Sequence, residues 1–427
     1  MKVVIMAGGM GTRVMPLNTQ VPKPMIEICG KPVLLYQIEC LKKQGYTDII
    51  MVIGHLGHMI EEFLSDGSKW GVNITYIKEE KPLGTAGALY YLKEDIEDDF
   101  LLLNGDIIFD VDIERFRNVH KRNSALATIL THPNNHPHDS GVIITGDDNR
   151  VSRWLTKEEK RGWHKNRVNA GMHMISPELL KVFACPEKKD LDRDVLKPLI
   201  VEGKLYVYDS PEYIKDMGTP ERYYEVVKDV EAGLPAKRNL RNKQRAIFLD
   251  RDGTINKYVG FIRNIDDFVL LEGVSDAIKR INQSGYLCIV ITNQPVIARG
   301  ELAIDELEEI HNKMETLLGR NGVYVDDIFY CPHHPDRGFE RERIEYKIDC
   351  ACRKPKPGMI LQAAEKYNID LANSWMVGDS ENDVLAGINA GCKVAFIGEG
   401  QIRGAVSYSD LLTCVNAILR EEDKWLR

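Results

Sequence analysis

The sequence predicts an α/β protein of two domains, each built on a mainly parallel sheet flanked by helices. At 427 residues the chain exceeds the usual size of a single domain. Short apolar strands alternate with helical patterns along it, which is typical of parallel sheets with helical crossovers. A strand that leads directly into a glycine-containing turn occurs twice, at MKVVIM (1–6) and RAIFLD (245–250). Two such beginnings indicate two separate sheets.

The predicted domains span residues 1–232 and 245–427, with a linker at 233–244. The linker is polar and basic, contains Gly and Pro, and follows an amphipathic helix at 220–233. Compact runs of apolar residues predict further strands at 46–54, 99–106, 285–293 and 374–379. Apolar residues spaced three and four apart predict helices at 31–44, 273–285 and 357–368.

Composition argues against several classes of protein. Hydrophobic residues make up 44% and charged residues 28%, as in ordinary globular proteins. The net charge is −8 and basic residues are scattered, so we expect no nucleic-acid partner. No apolar run approaches the roughly 18–20 residues of a membrane span, and the N-terminal run is too short for a signal peptide. We therefore expect a cytoplasmic protein with no membrane partner. Formation of a homo-oligomer is possible.

A glycine-rich turn follows the first strand, with Gly8, Gly9 and Gly11. Glycines let backbone N–H groups approach phosphate oxygens, and Arg13 and Lys23 add positive charge. The turn lacks the third glycine of a dinucleotide fingerprint and the ending of a Walker loop. Taken alone it predicts a phosphate site only weakly.

The longer pattern is more specific, because G-G-x-G-T-R followed by P-K-P-M resembles the signature of sugar-1-phosphate nucleotidyltransferases. Further motifs follow in that family's order at PLGTAGAL (82–89), LNGD (103–106), NAGMHMIS (169–176) and DMGTPERY (216–223). The resemblance covers about residues 1–232. It implies a Rossmann-like domain that joins a sugar 1-phosphate to an NTP and releases pyrophosphate. The LGTAG loop looks most like mannose-1-phosphate guanylyltransferases and their heptose relatives, which favours GTP.

The resemblance assigns roles to individual residues. Those implied in catalysis are Arg13 and Lys23. Those implied in nucleotide binding are Gly8, Gly9, Gly11, Thr12, Gly84, Thr85 and Gly87. Those implied in sugar binding are Asn169, Gly171, Glu159 and Lys160. Asp106 and Asp216 are the implied Mg²⁺ ligands, and the metal would stabilise charge as pyrophosphate leaves. The family's E-K-P reads E-E-K-R here, so Glu159 fits a solvated surface charge equally well.

The second half places Asp250 at the end of an apolar strand and Asp252 two residues later. A carboxylate there can attack phosphorus, and a second carboxyl group can protonate the leaving oxygen and then activate water. An Asp-Gly turn is the simpler explanation of Asp252. However, VITNQ (290–294), CRKPKPG (352–358) and MVGDSENDV (376–384) follow in order, and together these motifs resemble the haloacid-dehalogenase-like phosphatases.

That resemblance spans about residues 245–400 and implies Asp250 as nucleophile and Asp252 as general acid and base. The residues implied in phosphate binding or its support are Thr292, Asn293, Arg353, Lys354 and Asp383. The residues implied at Mg²⁺ are Asp250, Asp252 and Asp379.

Two short pairs, Cys331 with His333 and Cys350 with Cys352, offer four ligands of the types that Zn²⁺ prefers. Four protein ligands would make a closed, structural zinc site. The spacing differs from common zinc fingers, so free thiols stay an alternative, whereas a cytosolic disulfide is disfavoured. His334 could replace His333.

This Cys/His pattern resembles that of the zinc-containing phosphatases that act on D-glycero-D-manno-heptose 1,7-bisphosphate. Their product, heptose 1-phosphate, would suit the first half, so the fusion predicts two steps toward an NDP-heptose, with sugar phosphate and NTP as ligands. The alternatives are a mannose-like hexose-1-phosphate nucleotidyltransferase joined to a histidinol-phosphate-like phosphatase, or a degenerate regulatory module. Pro295 and Val296 replace the usual Ser-Gly, which predicts altered phosphatase activity or substrate preference.

Overall fold

The computed structural model describes residues 1–9 and 20–425. Internal contacts divide the chain into two units. The first unit consists of Met1–His132, Ile143–Thr156 and Arg167–Asn239. The second consists of Pro133–Val142, Lys157–Asn166 and Leu240–Arg427. The change of unit at 239/240 falls within the predicted linker, where the chain forms a short helix with Leu234 and Arg238 buried.

The strands before residue 240 are β1 Val3–Ala7, β2 Glu27–Ile28, β3 Lys31–Pro32, β4 Asp48–Ile53, β5 Asn73–Lys78, β6 Phe100–Asn104, β7 Ile107–Asp110, β8 Ala127–His132, β9 Val142–Thr145, β10 Val151–Leu155, β11 Val168–Ile175, β12 Leu205–Asp209 and β13 Tyr213–Asp216. The α-helices in the same part are α1 Val33–Lys43, α2 Gly57–Leu64, α3 Ile113–Asn123, α4 Pro198–Val201, α5 Pro220–Glu231 and α6 Leu234–Arg238. A π-helical turn spans Leu191–Leu196.

The main sheet of the first unit has the order β10-β9-β11-β6-β1-β4-β5, and β8 joins β11 to β12. β1 pairs in parallel with both β4 and β6, so Gly8 and Gly9, which follow β1, lie at the carboxyl edge of these strands. β11 runs antiparallel to β6 and makes the sheet mixed. A separate two-stranded ladder pairs β13 with β7 antiparallel. Apolar clusters cover both faces of the main sheet.

The second unit contains β14 Ala246–Leu249, β15 Leu287–Asn293, β16 Asp327–Cys331, β17 Trp375–Gly378, β18 Lys393–Ile397 and β19 Val406–Tyr408. Its α-helices are α7 Val274–Ser284, α8 Ile304–Arg320, α9 Gly358–Tyr367, α10 Glu381–Ala390 and α11 Leu411–Trp425. The strands pair in the order β16-β15-β14-β17-β18-β19, and every pair is parallel. All four residues of β14 are buried, as expected for a central strand covered on both faces.

Two segments that precede residue 240, Pro133–Val142 and Lys157–Asn166, belong to the second unit by their contacts. The Thr316 hydroxyl of α8 accepts from the His164 N–H at 2.9 Å and donates to the His164 carbonyl at 3.0 Å. The Asn166 N–H donates to the Glu315 carboxylate at 2.9 Å. These buried hydrogen bonds hold the second segment on α8.

The structure confirms the predicted fold class of parallel sheets flanked by helices in both halves. Each predicted strand and helix named above coincides with a structural element, and no end differs by more than two residues. The antiparallel β11 was not predicted, because its apolar sequence suits either strand direction. Among the residues that the structure describes, no helix combines the length and the apolarity that a membrane span requires.

Candidate active sites and metal centre

The site of the second unit lies at the carboxyl edge of its parallel sheet. β14 ends directly before Asp250, β15 ends with Thr292 and Asn293, and β17 ends directly before Asp379. Because β14 lies between β15 and β17, these three strand ends adjoin. Sheet order therefore brings together motifs that are far apart in sequence.

Lys354 lies at the centre of this edge and is only 4% exposed. Its Nζ lies 2.6 Å from Asp250 Oδ1 and 2.6 Å from Asp383 Oδ1, and it donates to the Ile291 carbonyl at 2.8 Å. Burial disfavours the ammonium, but the two carboxylates outweigh it and raise the pKa of Lys354. The Asn293 side chain exchanges hydrogen bonds with the Lys354 backbone at 3.0 and 3.1 Å, which fixes the lysine segment.

Carboxylate oxygens of Asp250, Asp379 and Asp383 lie within 4.8 Å of one another. Burial, and then the nearby Asp383, raise the pKa of Asp250 to about 7 and that of Asp379 to about 6. Crowded, buried carboxylates of this kind fit Mg²⁺, which prefers oxygen ligands and would relieve their mutual repulsion. A Cβ on Gly253 would lie 1.9 Å from Asp379 Oδ2, so only glycine leaves room for that carboxylate.

Asp252 has a different environment. Arg251 Nη2 donates to both of its carboxylate oxygens at 3.0 and 2.8 Å. Gln294 Nε2 donates to Asp252 Oδ2 at 2.8 Å and also to the Thr292 hydroxyl at 2.8 Å. Asn256 Nδ2 donates to Asp252 Oδ1 at 3.1 Å. The carboxylate is thus held by donors on both oxygens.

The four predicted zinc ligands come together in the structure, with one ligand atom from each of Cys331, His333, Cys350 and Cys352 inside 4.8 Å. Their Sγ···Sγ distances are 3.1–3.5 Å, and Nδ1 of His333 lies 3.3 Å from Cys352 Sγ. Zn–S bonds of about 2.3 Å in a tetrahedron would separate the sulfurs by roughly 3.8 Å, so the donor set fits zinc with small movements. His334 is not part of this group.

The cluster is linked to the phosphate-binding edge. The Arg353 guanidinium donates to the His333 carbonyl at 3.3 Å. Cys352 and Arg353 directly precede Lys354 in the chain. A closed metal site here would therefore fix the backbone that carries Lys354.

In the first unit, Asp106 follows β6 and forms an ion pair with Lys23. Gln37 of α1 is fully buried and its Nε2 donates to the carbonyls of Asn104 at 2.9 Å and Ile107 at 2.7 Å. These carbonyls flank Asp106, so the amide fixes the turn on which the carboxylate stands.

Asp216 ends β13 and pairs in register with Ile107 of β7, which brings it beside Asp106. Burial opposes ionisation of Asp216, but the Arg222 guanidinium outweighs it and lowers the Asp216 pKa, with Lys23 a smaller contributor. Arg222 Nη1 lies 3.1 Å from each Asp216 oxygen. Two carboxylates beside one lysine provide oxygen ligands of the type Mg²⁺ takes.

The predicted sugar-binding residues Asn169 and Gly171 lie together on β11. The Asn169 side chain accepts from the Gly171 N–H at 3.0 Å and donates to Asp192 Oδ1 at 3.3 Å. Gly171 has φ +75°, and a Cβ there would lie 2.6 Å from Asn104 Nδ2. Burial, and then Asp190, raise the pKa of Asp192 to about 6.

The predicted nucleotide loop is held by close backbone contacts. A Cβ on Gly84 would lie 2.4 Å from the Lys189 carbonyl oxygen, and one on Gly87 would lie 2.1 Å from that of Glu187. The Thr85 hydroxyl accepts from the Leu191 N–H at 2.7 Å. Both positions therefore require glycine because the backbone of residues 187–191 packs so closely against them. This requirement is independent of any ligand.

Comparison with known proteins identifies the first half. The nucleotidyl transferase family model matches residues 2–233, which is more than half of the chain. The chain belongs to the nucleotidyl transferase family. Mannose-1-phosphate guanylyltransferase catalytic subunit beta of Danio rerio is 32% identical over 228 residues, covering 52% of this chain and 62% of that protein. This chain thus spans less than two thirds of that relative. HddC from Yersinia pseudotuberculosis is structurally similar, with 26% identity, a TM-score of 0.48, and coverage of 54% of this chain and 99% of HddC.

In the second half of the chain, residues 351–409 match a HAD-hydrolase-like family model. D-glycero-beta-D-manno-heptose-1,7-bisphosphate 7-phosphatase of Haemophilus influenzae is 44% identical over 150 residues, covering 35% of this chain and 79% of that protein. The chain is therefore a bifunctional enzyme with a transferase half and a HAD-like phosphatase half.

Several predicted site residues of the transferase half stay untested. Gly11, Thr12 and Arg13 lie outside the described residues. Glu159 and Lys160 are exposed and belong to a segment of the second unit, whereas Asn169 and Gly171 belong to the first. Gly8 lies against Glu79, whose Oε2 would lie 2.3 Å from an added Cβ, whereas among the described residues none comes within 4 Å of a Cβ added to Gly9. The sugar contacts of Glu159 and Lys160 thus stay a prediction without support from this arrangement.

In the phosphatase half, the structure groups Asp383 rather than Asp252 with Asp250 and Asp379. The Asp252 carboxylate instead accepts hydrogen bonds from Arg251 on both of its oxygens. Val296 lies fully buried in an apolar core cluster, and the Pro295 carbonyl accepts from the Arg299 N–H at 3.0 Å. The Pro-Val pair therefore forms part of a packed turn.

Sequence reasoning missed several polar residues at these sites. Arg251, Gln294 and Asn256 surround Asp252, Arg222 contacts Asp216, and Asp192 contacts Asn169. Gln294 directly follows the quoted Thr292–Asn293 motif, so its position gave a signal. Asp192 offered none, because a lone aspartate among charged residues is usually a surface residue.

Proposed function

We propose that this enzyme makes an NDP-heptose in two steps. The phosphatase half would hydrolyse the C7 phosphate of D-glycero-D-manno-heptose 1,7-bisphosphate, and the transferase half would join the resulting heptose 1-phosphate to GTP and release pyrophosphate. The observation that carries the proposal is the pairing, in one chain, of a phosphatase half 44% identical to a heptose bisphosphate phosphatase with a nucleotidyl transferase half. The first reaction creates the kind of substrate that the second needs.

In the phosphatase step, the Asp250 carboxylate would attack phosphorus while Asp252 protonates the leaving C7 oxygen, and water would then release phosphate with Asp252 as base. Lys354, 2.6 Å from Asp250, would neutralise charge on the phosphate and the nucleophile. Asp250, Asp379 and Asp383 would hold Mg²⁺, which lowers repulsion between carboxylate and phosphate.

A cationic and aromatic surface in the phosphatase half suits the other end of a bisphosphate. The Arg299 guanidinium lies 4.4 Å from the ring centre of Phe261 and 4.7 Å from that of Phe339. Arg299 is close enough to Arg353 to lower the pKa of that guanidinium further, beyond the main effect of burial. Two guanidinium groups near the catalytic edge could bind a distal phosphate.

In the transferase step, Lys23 would contact the phosphates of the NTP, and Asp106 with Asp216 would hold Mg²⁺. Asn169 and Gly171 would contact the sugar. The guanylyltransferase relative supports GTP as the nucleotide. That relative acts on mannose 1-phosphate by its name, so mannose 1-phosphate is the second candidate substrate for this half.

The Cys331, His333, Cys350 and Cys352 cluster would hold a structural Zn²⁺. Support comes from the closed set of four ligands of the types zinc prefers and from its position directly before Lys354. Metal analysis should find about one zinc per chain, and replacement by Co²⁺ should give the visible absorption of a tetrahedral thiolate site.

The proposed function is tested by ³¹P NMR with Mg²⁺, GTP and each anomer of the heptose bisphosphate. Loss of the C7 phosphate signal, followed by a diphosphate pair and pyrophosphate, is the expected result. Phosphate release without a sugar nucleotide would reject GTP or the heptose 1-phosphate, and mannose 1-phosphate and the other NTPs would follow. No reaction with either anomer would reject the heptose assignment.

A further inference from the structure

We propose that Asp192 accepts hydrogen bonds from hydroxyl groups of the sugar 1-phosphate and so helps to determine which sugar the transferase half uses. The inference rests on the proposed sugar contacts of Asn169 and Gly171, and it adds a residue that lies outside the motifs quoted above. The observation that carries it is a half-buried carboxylate next to Asn169 that receives only one hydrogen bond from the described part of the protein.

The proposed sugar contacts lie at the end of β6. Met172 of β11 pairs with Leu103 of β6 in antiparallel register, so Gly171 lies beside Asn104, the last residue of β6. An added Cβ on Gly171 would lie 2.6 Å from Asn104 Nδ2. Asp106, a proposed Mg²⁺ ligand, follows Asn104 by two residues. This part of β11 therefore lies at the strand end that carries the proposed metal site.

Asp192 approaches β11 from the π-helical turn Leu191–Leu196. The start of that turn is fixed, because the Leu191 N–H donates to the Thr85 hydroxyl at 2.7 Å. Asn169 Nδ2 donates to Asp192 Oδ1 at 3.3 Å. The carboxylate is thus held beside a proposed sugar contact by the fold of the protein itself.

Three aspartates of this segment differ in how the protein satisfies them. Asp190 caps the turn by accepting from the Arg193 N–H at 2.9 Å. Asp194 accepts from the Arg193 guanidinium at 2.7 and 2.9 Å and from the Asp190 N–H at 2.8 Å. Among the residues whose side chains the structure describes, Asp192 receives one amide hydrogen bond and forms no ion pair. Asp192 is therefore the carboxylate that still has acceptor positions for a ligand.

The chemistry of the acceptor favours a sugar hydroxyl as the ligand. A carboxylate that is removed from water costs free energy unless hydrogen-bond donors replace the water. Burial, and then Asp190, raise the pKa of Asp192 to about 6, so the group is ionised at about pH 8. An ionised carboxylate accepts from hydroxyl groups and repels phosphate. It would therefore contact the sugar ring and not the phosphate groups of either substrate.

The test measures nucleotidyl transfer by the full-length enzyme at about pH 8, where Asp192 is ionised. Heptose 1-phosphate, mannose 1-phosphate and the monodeoxy analogues of each are the sugar substrates, and GTP is the nucleotide. Asp192→Ala removes the acceptor, whereas Asp192→Asn keeps an acceptor oxygen without the charge. Asp194→Asn is the matched control, because it removes a charge from the same turn and has no hydrogen bond to Asn169.

For the wild type we expect kcat/KM to fall about tenfold with the analogue that lacks the bound hydroxyl, since a hydrogen bond to a charged group is lost. Asp192→Ala should use the complete sugar about tenfold less well and should no longer distinguish it from that analogue. Asp194→Asn should discriminate as the wild type does. KM for GTP should change less than KM for the sugar phosphate in the Asp192 variants.

A purely structural role of Asp192 gives a different result. Asp192→Ala would then lower transfer from every sugar by the same factor and keep the wild-type discrimination, which would overturn the proposal. If Asp192→Ala does not fold, Asp192→Asn replaces it: weaker discrimination is expected, and unchanged discrimination would overturn the proposal. Failure of the proposed transferase function is distinct, because the wild type would then release no pyrophosphate with either complete sugar, and the inference would fall with it.

Discussion

Both halves of the enzyme place a lysine amine on an aspartate that follows a parallel strand, but the two pairs differ in burial. The side chains of Lys354 and Asp250 are 4% and 11% exposed, and Asp383 beside them is 1% exposed. The side chains of Lys23 and Asp106 are 12% and 29% exposed. Water can therefore screen the transferase pair but hardly the phosphatase pair.

The difference teaches that the same pairing contributes more to stability in the half where water is excluded from it. A buried charge that loses its partner costs about 3–5 kcal/mol, whereas exposed pairs contribute about 0.2–1 kcal/mol. The phosphatase edge is preorganised because its buried charged groups are shielded from water and can pair only with one another.

The largest effect should come from replacing Asp250, the proposed nucleophile of the phosphatase half. Asp250→Asn should lower phosphate release by at least about 10⁴-fold, since the amide cannot form the aspartyl-phosphate. Nucleotidyl transfer from supplied heptose 1-phosphate should stay unchanged. The matched variant Asp106→Asn should show the reverse pattern. Loss of both activities in a folded Asp250→Asn protein would contradict two independent sites.

Replacing each lysine by methionine tests the contrast in burial directly. Lys354→Met leaves Asp250 and Asp383 buried without their cation and should lower the free energy of unfolding of the phosphatase half by about 3–5 kcal/mol. Lys23→Met should lower that of the transferase half by less, because the side chains of Lys23 and Asp106 are partly open to water. Urea unfolding monitored for each half measures both values. Similar losses for the two variants would remove the distinction drawn here.

Metal removal should affect the halves unequally. Chelation of the proposed zinc should lower the free energy of unfolding of the phosphatase half by about 3 kcal/mol. Its melting temperature should then fall by about 10 °C, because each 1 kcal/mol shifts the melting temperature of a unit of this size by about 2–4 °C. Scanning calorimetry before and after chelation gives the shift, with Cys350→Ser as the matched variant that should not respond further. An equal shift of the transferase half would mean that the chelator acts elsewhere.

The smallest effect concerns Asp192 of the transferase half, whose pKa burial and Asp190 raise to about 6 while Lys197 opposes the shift. An unfolded Asp titrates near 3.9, so the folded state binds more protons between about pH 4 and 6. Stability should therefore fall as pH rises through that window, by about 3 kcal/mol at most.

Urea unfolding at several pH values should show that Asp192→Asn removes this slope. The same variant should raise KM for the sugar phosphate more than KM for the nucleotide, since Asp192 contacts Asn169. A slope shared by wild type and variant would assign the pH dependence to other groups.

The sequence predicts the phosphatase edge well, for a physical reason. Adjacent parallel strands end at one edge, so motifs that follow such strands must meet, as Asp250, Thr292 and Asp379 do. The convergence of Cys331, His333, Cys350 and Cys352 was predictable because the two pairs lie close in sequence and these residue types are specific as metal ligands.

Contacts made across distant elements could not be predicted in the same way. The antiparallel register of β13 on β7, which brings Asp216 beside Asp106, leaves no periodic signal. Arg251 and His311 are sixty positions apart, and each suits a surface when considered alone. Glu159 and Lys160 were grouped with Asn169 by motif order, but chain contacts place them in the other unit.

The order in which the stretches of the second unit occur along the chain affects its folding during synthesis. It is assembled from three stretches, Pro133–Val142, Lys157–Asn166 and Leu240–Arg427. The first two stretches are synthesised long before α8, the helix that the second stretch contacts. The strands of the first unit can pair as they leave the ribosome. The segment that contains His164 cannot bind α8 until more than a hundred further residues have been synthesised. Chain order therefore delays the docking of residues 157–166 until α8, Ile304–Arg320, has been synthesised.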